Sequence, residues 1–473
     1  MEADIIVLSN LSTSYFSQPS AKFESNSPTW MLEVLPMQTE RRESMDTGMR
    51  IKYHRIKKRI SSEELASGIL SSRELKKIES GLKEPSLQAL EALCKKLEIP
   101  LAPKDNPIGK VLVKNFKTSL LHTQNKAKIM EQYADICDHP LLHANEDIEL
   151  EYSIQQIRYF IISGDLDSAE EKIKEVERFK EFMNQEQYYS FHKYNGNYEY
   201  ILNDATKALK TYLIAEKIAP SSLPASELGD LYYSIAISAS QCWEINIASK
   251  YSENALKIYQ QEFIPKRIVE CHLNIGINER RKGNFKTAEE HFKNAVNIGG
   301  KLDNDALKFI TEYNYGYLYF YLQNFELGIQ HLENGLNFIP NEYTSDLLLN
   351  YCLLIKCYIE TENFEAAKSI LEKGHMVINE RNLNLNIPSN NSFKEVYIEF
   401  MCLSYLMHQN FSDFEDYLLQ KLLPLLESNN KFYEIGFFYG HLGNNYFEQE
   451  EYEKAAIIFK KAKRAYKNQM VIK

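Results

Sequence analysis

Between Met49 and Pro100 the apolar positions come in short bursts separated by polar stops, which predicts a set of four or five short helices. Ile51 to Lys58 forms the first burst. Ser61-Ser62-Glu63-Glu64-Leu65-Ala66 opens the second, with Ser61 as N-cap and Glu64 three residues on, a capping-box pattern. Gly68-Ile69-Leu70 reads as a turn. Ser71 to Gly81 reads as a helix capped by serine and stopped by glycine, with Leu75 and Ile78 on one face and Arg73, Lys76 and Lys77 pointing outward. Gly81 to Pro85 breaks the pattern, and Ser86 caps Leu87 to Leu97. Two short helices around a tight glycine turn, the second bearing surface arginine and lysine, form a helix-turn-helix.

From Val111 onward the pattern repeats about every 40 residues. One unit holds Gly276, Gly283-Asn284-Phe285, Ala288, Phe292 and Ala295; the next holds Gly316, Asn324-Phe325, Gly328, Leu332 and Gly335. Asn363-Phe364, Ala367 and Gly374, then Gly443, Ala455, Phe459 and Ala462, carry it on. Small residues alternate with large ones as they do where paired helices cross closely. The step predicts about nine helical hairpins starting near Val111, Leu150, Tyr189, Gly229, Val269, Phe309, Leu348, Glu395 and Gly436, with a polar insert at Arg381 to Ser392. The expected fold is all-α, divided into residues 49–100, a Pro- and Gly-broken linker at 101–110, and repeats at 111–473. Residues 1–48 are rich in Ser, Thr, Pro and Asn and read as a disordered or additional N-terminal segment, with Met45 and Met49 as alternative starts.

Composition sharpens this picture in one respect. The chain carries a net charge of −10, yet residues 49–100 hold twelve Lys and Arg against seven Glu. A basic module on an acidic body is the footprint of a nucleic-acid-binding head. Seven cysteines without a Cys-x-x-Cys pair, no apolar run of membrane length and no signal-peptide pattern point to a reduced cytoplasmic protein.

No phosphate loop, His-Glu-x-x-His or Gly-x-Ser-x-Gly occurs, so no enzyme, cofactor or catalytic residue is expected. Cys137, His139 and His143 lie close in sequence, but Pro140 breaks any common helical face, and a loop is the expectation rather than a metal site. Acidic pairs such as Glu170-Glu171 and Glu289-Glu290 read as solvated helix faces.

The run Ser62 to Ala66, Ser72-Arg73, Ile78 to Gly81, Pro85-Ser86 and Leu90-x-x-Leu93 resembles the lambda-repressor/Cro type of helix-turn-helix, and the long repeats resemble tetratricopeptide repeats. Together they resemble the peptide-pheromone receptors of Gram-positive bacteria, the Rap, NprR, PlcR and PrgX group, and within it the NprR type. The resemblance implies a right-handed superhelix. It also implies a cytoplasmic quorum-sensing transcription regulator, dimeric or tetrameric, that binds a double-stranded DNA operator and is switched by a re-imported oligopeptide. Alternatives are sequestration of a sporulation response regulator, or a phage lysis–lysogeny sensor.

The expected DNA contacts are Ser62, Ser71, Ser72, Arg73, Lys76, Lys77 and Lys83. By resemblance, inward-facing repeat positions give Arg158, Asn197, Tyr233, Asn274, Arg281, Tyr313 and Asn314 as peptide contacts, with Asn274 and Asn314 as rungs of an asparagine ladder on the peptide backbone.

Overall fold

The computed structural model describes residues 45–103, 106–122, 125–143, 145–339, 344–380, 391–429 and 431–471. The expected tail up to Ser44 and most of the polar insert at 381–392 lie outside them. Among the described residues every regular element is a helix, and by contact they form two compact units, one running to Leu223 and the other from Pro224 onward.

The first unit begins with four helices, α1 (Thr47–Lys57), α2 (Ser62–Ala66), α3 (Ser72–Glu79) and α4 (Leu87–Leu97). The caps fall where the sequence puts them. Ser61 accepts from the Glu64 amide, Ser71 and Glu74 form a reciprocal capping box, and Ser86 accepts from Ala89. Gly68 and Gly81 take φ of +79° and +73°, which a side chain would strain. Ile51, Leu65, Leu75, Ile78, Leu93 and Leu97 close a small core. Helix α1 starts a full turn before the expected Ile51, because Asp46 caps it through the Met49 amide.

Gly48 lets α1 cross α3 closely. A Cβ there would sit 2.0 Å from the Ile78 carbonyl oxygen, a backbone atom that cannot swing away. Gly48→Ala is therefore expected to destabilise the head by about 1–3 kcal/mol, the usual cost of overpacking. Amide exchange in α1–α4 measures it, and unchanged protection would refute the contact.

The rest of the first unit consists of three hairpins, α5 (Pro107–His122) with α6 (Lys126–Ile136), α7 (Glu146–Ser163) with α8 (Leu166–Glu177), and α9 (Gln185–Ile201) with α10 (Ala205–Ile218). The second unit adds α11 (Ala225–Gln241) with α12 (Ile245–Gln261), α13 (Pro265–Arg281) with α14 (Phe285–Gly299), and α15 (Asp305–Tyr321) with α16 (Phe325–Leu336). It ends with α17 (Thr344–Glu360) and α18 (Phe364–Glu380), then α19 (Asn391–Met407) followed by α20 (Phe411–Tyr417) and α21 (Leu423–Ser428), then α22 (Phe432–Glu448) with α23 (Tyr452–Val471). These are the nine hairpins the 40-residue step anticipates.

The repeat signature has a direct geometric cause. Gly196, Gly276, Gly316 and Gly443 each lie against the residue sixteen positions later on the partner helix, respectively Tyr212, Phe292, Leu332 and Phe459. A Cβ on any of them would come within 2.6–2.7 Å of that side chain. The large group fills the space the glycine leaves, which is the alternation visible in the sequence.

Candidate nucleic-acid interface and inner repeat face

Helix α3 presents its polar edge to solvent. Arg73, Lys76, Lys77 and Lys83 are exposed, while Leu75 and Ile78 anchor the opposite face. Not all the expected DNA contacts are equally available. The Ser71 hydroxyl is committed to the capping box, and Ser72 Oγ donates to Glu63 Oε1 at 3.0 Å. Lys76 Nζ lies 3.9 Å from that same oxygen, and Lys83 Nζ donates to Glu74 Oε1 at 2.8 Å. The hydrogen bond from Lys83, with those from Ser71, holds the exposed Glu74 carboxyl down at about 2. Arg73 and Lys77, four residues apart on one edge, make no side-chain hydrogen bond or ion pair among the described residues. Ser62 is half-buried at the start of α2. The donors least encumbered for phosphate or base edges are thus Arg73 and Lys77.

In the first unit, two of the expected peptide contacts meet. With the Asn197 amide turned so that its oxygen faces α7, Arg158 Nη1 lies 2.7 Å from it, and the Asn197 nitrogen reaches the Tyr212 hydroxyl at 2.7 Å. Arg158 is half-buried, its guanidinium 6.0 Å from the Tyr194 ring. Both side chains therefore sit on first helices of neighbouring hairpins, α7 and α9.

In the second unit the expected contacts are buried in the packing between helices. Asn274 is wholly enclosed and donates to Ser252 Oγ at 2.8 Å on the preceding hairpin. Asn314, also wholly enclosed, donates to the Ile310 carbonyl at 2.9 Å. Arg281 donates to the Ser240 carbonyl at 2.6 Å and lies over the Trp243 ring at 4.4 Å. Tyr313 packs along Tyr317, and Tyr233 lies under the Arg267 guanidinium. A peptide reaches Asn274 or Asn314 only if these neighbours part. A helical repeat register locates such positions but not the depth at which the next hairpin covers them.

The sequence reading missed a buried charged set on α13, α17, α19 and α22. Arg280 lies 4.1 Å over Tyr317. Lys356 donates to Glu399 Oε1 at 2.6 Å, both side chains nearly inaccessible. Burial works against the ionised Glu399 carboxyl, but Lys356 and Lys431 hold its pKa below the ordinary value. Glu434 is 1% exposed, and neither carboxylate oxygen accepts a hydrogen bond from another described residue. Burial pushes it up to about 7, against the pull of Arg280. Single charged residues inside apolar helices were the available signal.

A pH dependence follows from Glu434. Between its ordinary 4.5 and about 7 the folded chain keeps a proton that the unfolded chain has released, so stability falls as pH rises through that window. Glu434→Gln is expected to stabilise the chain more at pH 8 than at pH 5. A gain in Tm over the parent that is equal at both pH values would refute this.

The Cys137 to His143 stretch is a connection. His139 Nδ1 accepts from the Leu141 amide and His143 lies 3.2 Å from Glu149, and no metal-binding group occurs among the described residues.

Comparison with known proteins adds to this geometry. The Helix-turn-helix family HTH_3 matches residues 51–103. The transcriptional activator NprA of Geobacillus stearothermophilus is 25% identical over 418 residues, covering 86% of this chain and all of NprA. The response regulator aspartate phosphatase I of Bacillus subtilis is 23% identical, covering 67% of this chain and 81% of that protein. The apo form of the quorum sensor NprR from B. thuringiensis superposes with a TM-score of 0.61 at 17% identity, over 76% of this chain and 98% of NprR. NprR in complex with its cognate peptide NprX gives 0.54 at 17% identity, over 75% and 98%. The chain resembles the NprR and Rap regulators. The resemblance spans head and repeats in NprA, and the shared fold with NprR accounts for the long-helix hairpins. Among the described residues no helix is long and apolar enough to cross a membrane.

Proposed function

We propose that this chain is a cytoplasmic transcription regulator whose residues 49–100 bind a double-stranded DNA operator and whose repeats, 111–473, bind a short signalling peptide that switches it. The observation that carries the reading is the exposed Arg73–Lys77 edge on a capped helix-turn-helix, in a chain that aligns with the whole of NprA. The peptide half is supported by the likeness of fold to NprR, solved with its peptide NprX. Arg158 and Asn197, half-buried and side by side, are the peptide contacts of the first unit. Asn274, Asn314, Arg281, Tyr233 and Tyr313 contact it only as the second unit opens.

The active form is a homodimer, or a tetramer, that places two heads on a pseudo-palindromic site. The peptide acts by binding one arrangement of the repeats more tightly than another. Selection of bound duplexes from a random pool tests the DNA half, and failure to enrich any sequence overturns it. Calorimetry with candidate heptapeptides, taken from any short secreted open reading frame found beside the gene, tests the peptide half. Arg158→Ala is expected to weaken the bound one at least tenfold, and unaltered affinity overturns that contact.

A second reading is sequestration of a response regulator by the repeats, which the match to aspartate phosphatase I favours. Co-purification with a phosphorelay response regulator, sensitive to the peptide, tests it.

A further inference from the structure

Helix α1 carries three stripes. Ile51 faces the head's own core with Leu75 and Ile78. Met49, Tyr53 and Ile56, spaced by about one turn, and Met45 just ahead of the helix pack instead on the α7–α8 hairpin and the residues just after it, against Leu150, Phe179 and Phe182. Tyr53 lies 4.8 Å from the Phe179 ring and meets Phe182 edge-on at 5.5 Å. Arg50, His54 and Lys57 form a third stripe beside it, and all three meet the first turn of α7. Arg50 Nε and His54 Nε2 lie 2.6 and 2.7 Å from Glu146 Oε1, and Lys57 Nζ lies 2.5 and 2.6 Å from the two oxygens of Glu149. Lys52 pairs with Glu181 farther along. Arg50 Nη1 also donates to the Pro100 carbonyl at 2.8 Å, which ties the outgoing linker to the same cluster.

We propose that this seam is a docking surface that holds the DNA-binding head at one orientation on the first repeats, with α1 as the element that couples repeats to head.

The charges are complementary, with Arg50, Lys52 and Lys57 on α1 against three carboxylates on the hairpin and its exit, and His54 adds a hydrogen bond to Glu146. Arg50 and Glu146 are both nearly inaccessible, so their pairing is little screened by solvent. Burial works against the Glu146 carboxylate, yet the His54 and Arg50 hydrogen bonds hold it down at about 2. The seam is not filled throughout. A cavity of about 600 Å³ lies along it, lined by Tyr53, Lys57, Glu149, Glu175 and Phe179 among others. Parting the joint would cost the ion pairs and would also uncover the contact of Tyr53 with Phe179 and Phe182.

Docking leaves Arg73 and Lys77 exposed. The seam therefore aims the head rather than masking it, and a shift of α7 redirects where the two heads of a dimer point. Its purpose rests on the regulator reading above; its geometry does not.

The test places a fluorophore on Leu82→Cys, a residue 81% exposed, in a Cys137→Ser, Cys242→Ser background, and follows anisotropy decay of the full chain. The docked head is expected to tumble with the whole protein. Glu146→Gln with Glu149→Gln is expected to add the fast component of a free head and to raise proteolysis at residues 101–110 at least tenfold. Affinity of that variant for a single operator half-site should stay within twofold of the parent, since the reading edge is untouched. A fast component in the parent, or slow tumbling in the variant, overturns the proposal. So does loss of half-site affinity, which would mean that the glutamates support the fold of the head itself. Absence of DNA binding in the parent would count against the regulator reading alone, because the anisotropy experiment needs no DNA.

Discussion

Glu399→Ala is expected to destabilise the C-terminal repeats by about 3–5 kcal/mol, the cost of leaving one partner of a buried ion pair alone. Lys356 sits 2.6 Å from Glu399 with almost no access to water, and Lys431 bears on the same carboxylate. Removing Glu399 leaves two ammonium groups close together in a low-dielectric interior, where neither can hydrate. Burial and Lys356 push Lys431 below its ordinary value, while Glu399 and Glu395 pull it up; losing Glu399 drives its proton off more readily. Glu399→Met combined with Lys356→Met should recover much of the loss, because removing both charges avoids both desolvation penalties. Amide exchange in α17 and α19 under denaturant reads the effect locally, which matters in a repeat protein whose units unfold by neighbours rather than all at once. A single variant as stable as the parent would mean that water reaches the pair and screens it.

That cluster also marks where sequence reasoning stops. The nine hairpins were legible because each needs a small residue facing a large one, and the sixteen-residue spacing from Gly276 to Phe292 or Gly443 to Phe459 writes that need into the chain. Even the error in their starts is uniform. The expected starts at Leu150, Val269 and Leu348 mark the first deeply buried positions, and each helix begins four residues earlier, at Glu146, Pro265 and Thr344. The added turn is largely polar, so it carries no periodic signal. The caps of the head were legible for the opposite reason, since Ser71 with Glu74 is a purely local arrangement.

What the sequence does not reveal is which of two buried faces a polar side chain enters. Asn274 reads as an inward rung by repeat register, yet its amide is held by Ser252 on the preceding hairpin. Arg281 reads as an inward-facing peptide contact, yet Ser240 and Trp243 already surround it. Helix α1 shows the same difficulty. The stripe of Met45, Met49, Tyr53 and Ile56 is visible in the sequence, but a reading that expects one core per domain gives it no surface to cover.

Arg73→Ala together with Lys77→Ala is expected to cost about 1–3 kcal/mol per side chain in each head, and about twice that for a dimer engaging two half-sites. The two residues lie four apart on α3, one turn of helix, so both address the same stretch of groove or backbone. Their neighbours cannot simply replace them. Lys83 would have to leave Glu74, whose carboxyl it holds strongly ionised, and the Ser72 hydroxyl would have to leave Glu63. The two positions should also separate by salt dependence. A residue that only neutralises phosphate lowers the slope of log affinity against log salt by about 1 per head and weakens all sequences alike. A residue that reads a base relaxes preference at one operator position and leaves the slope nearly unchanged. Arg73, in the first turn of α3 behind its capping serine, is expected to behave as the base reader, and Lys77, a turn later, as the phosphate contact. Binding titrations of each single variant on operator and scrambled duplex, at three or more salt concentrations, distinguish the roles. Equal affinity of Arg73→Ala and parent for the operator would remove α3 as the reading helix. The head would then have to approach DNA through another face, although α1 is already engaged at Glu146 and Glu149.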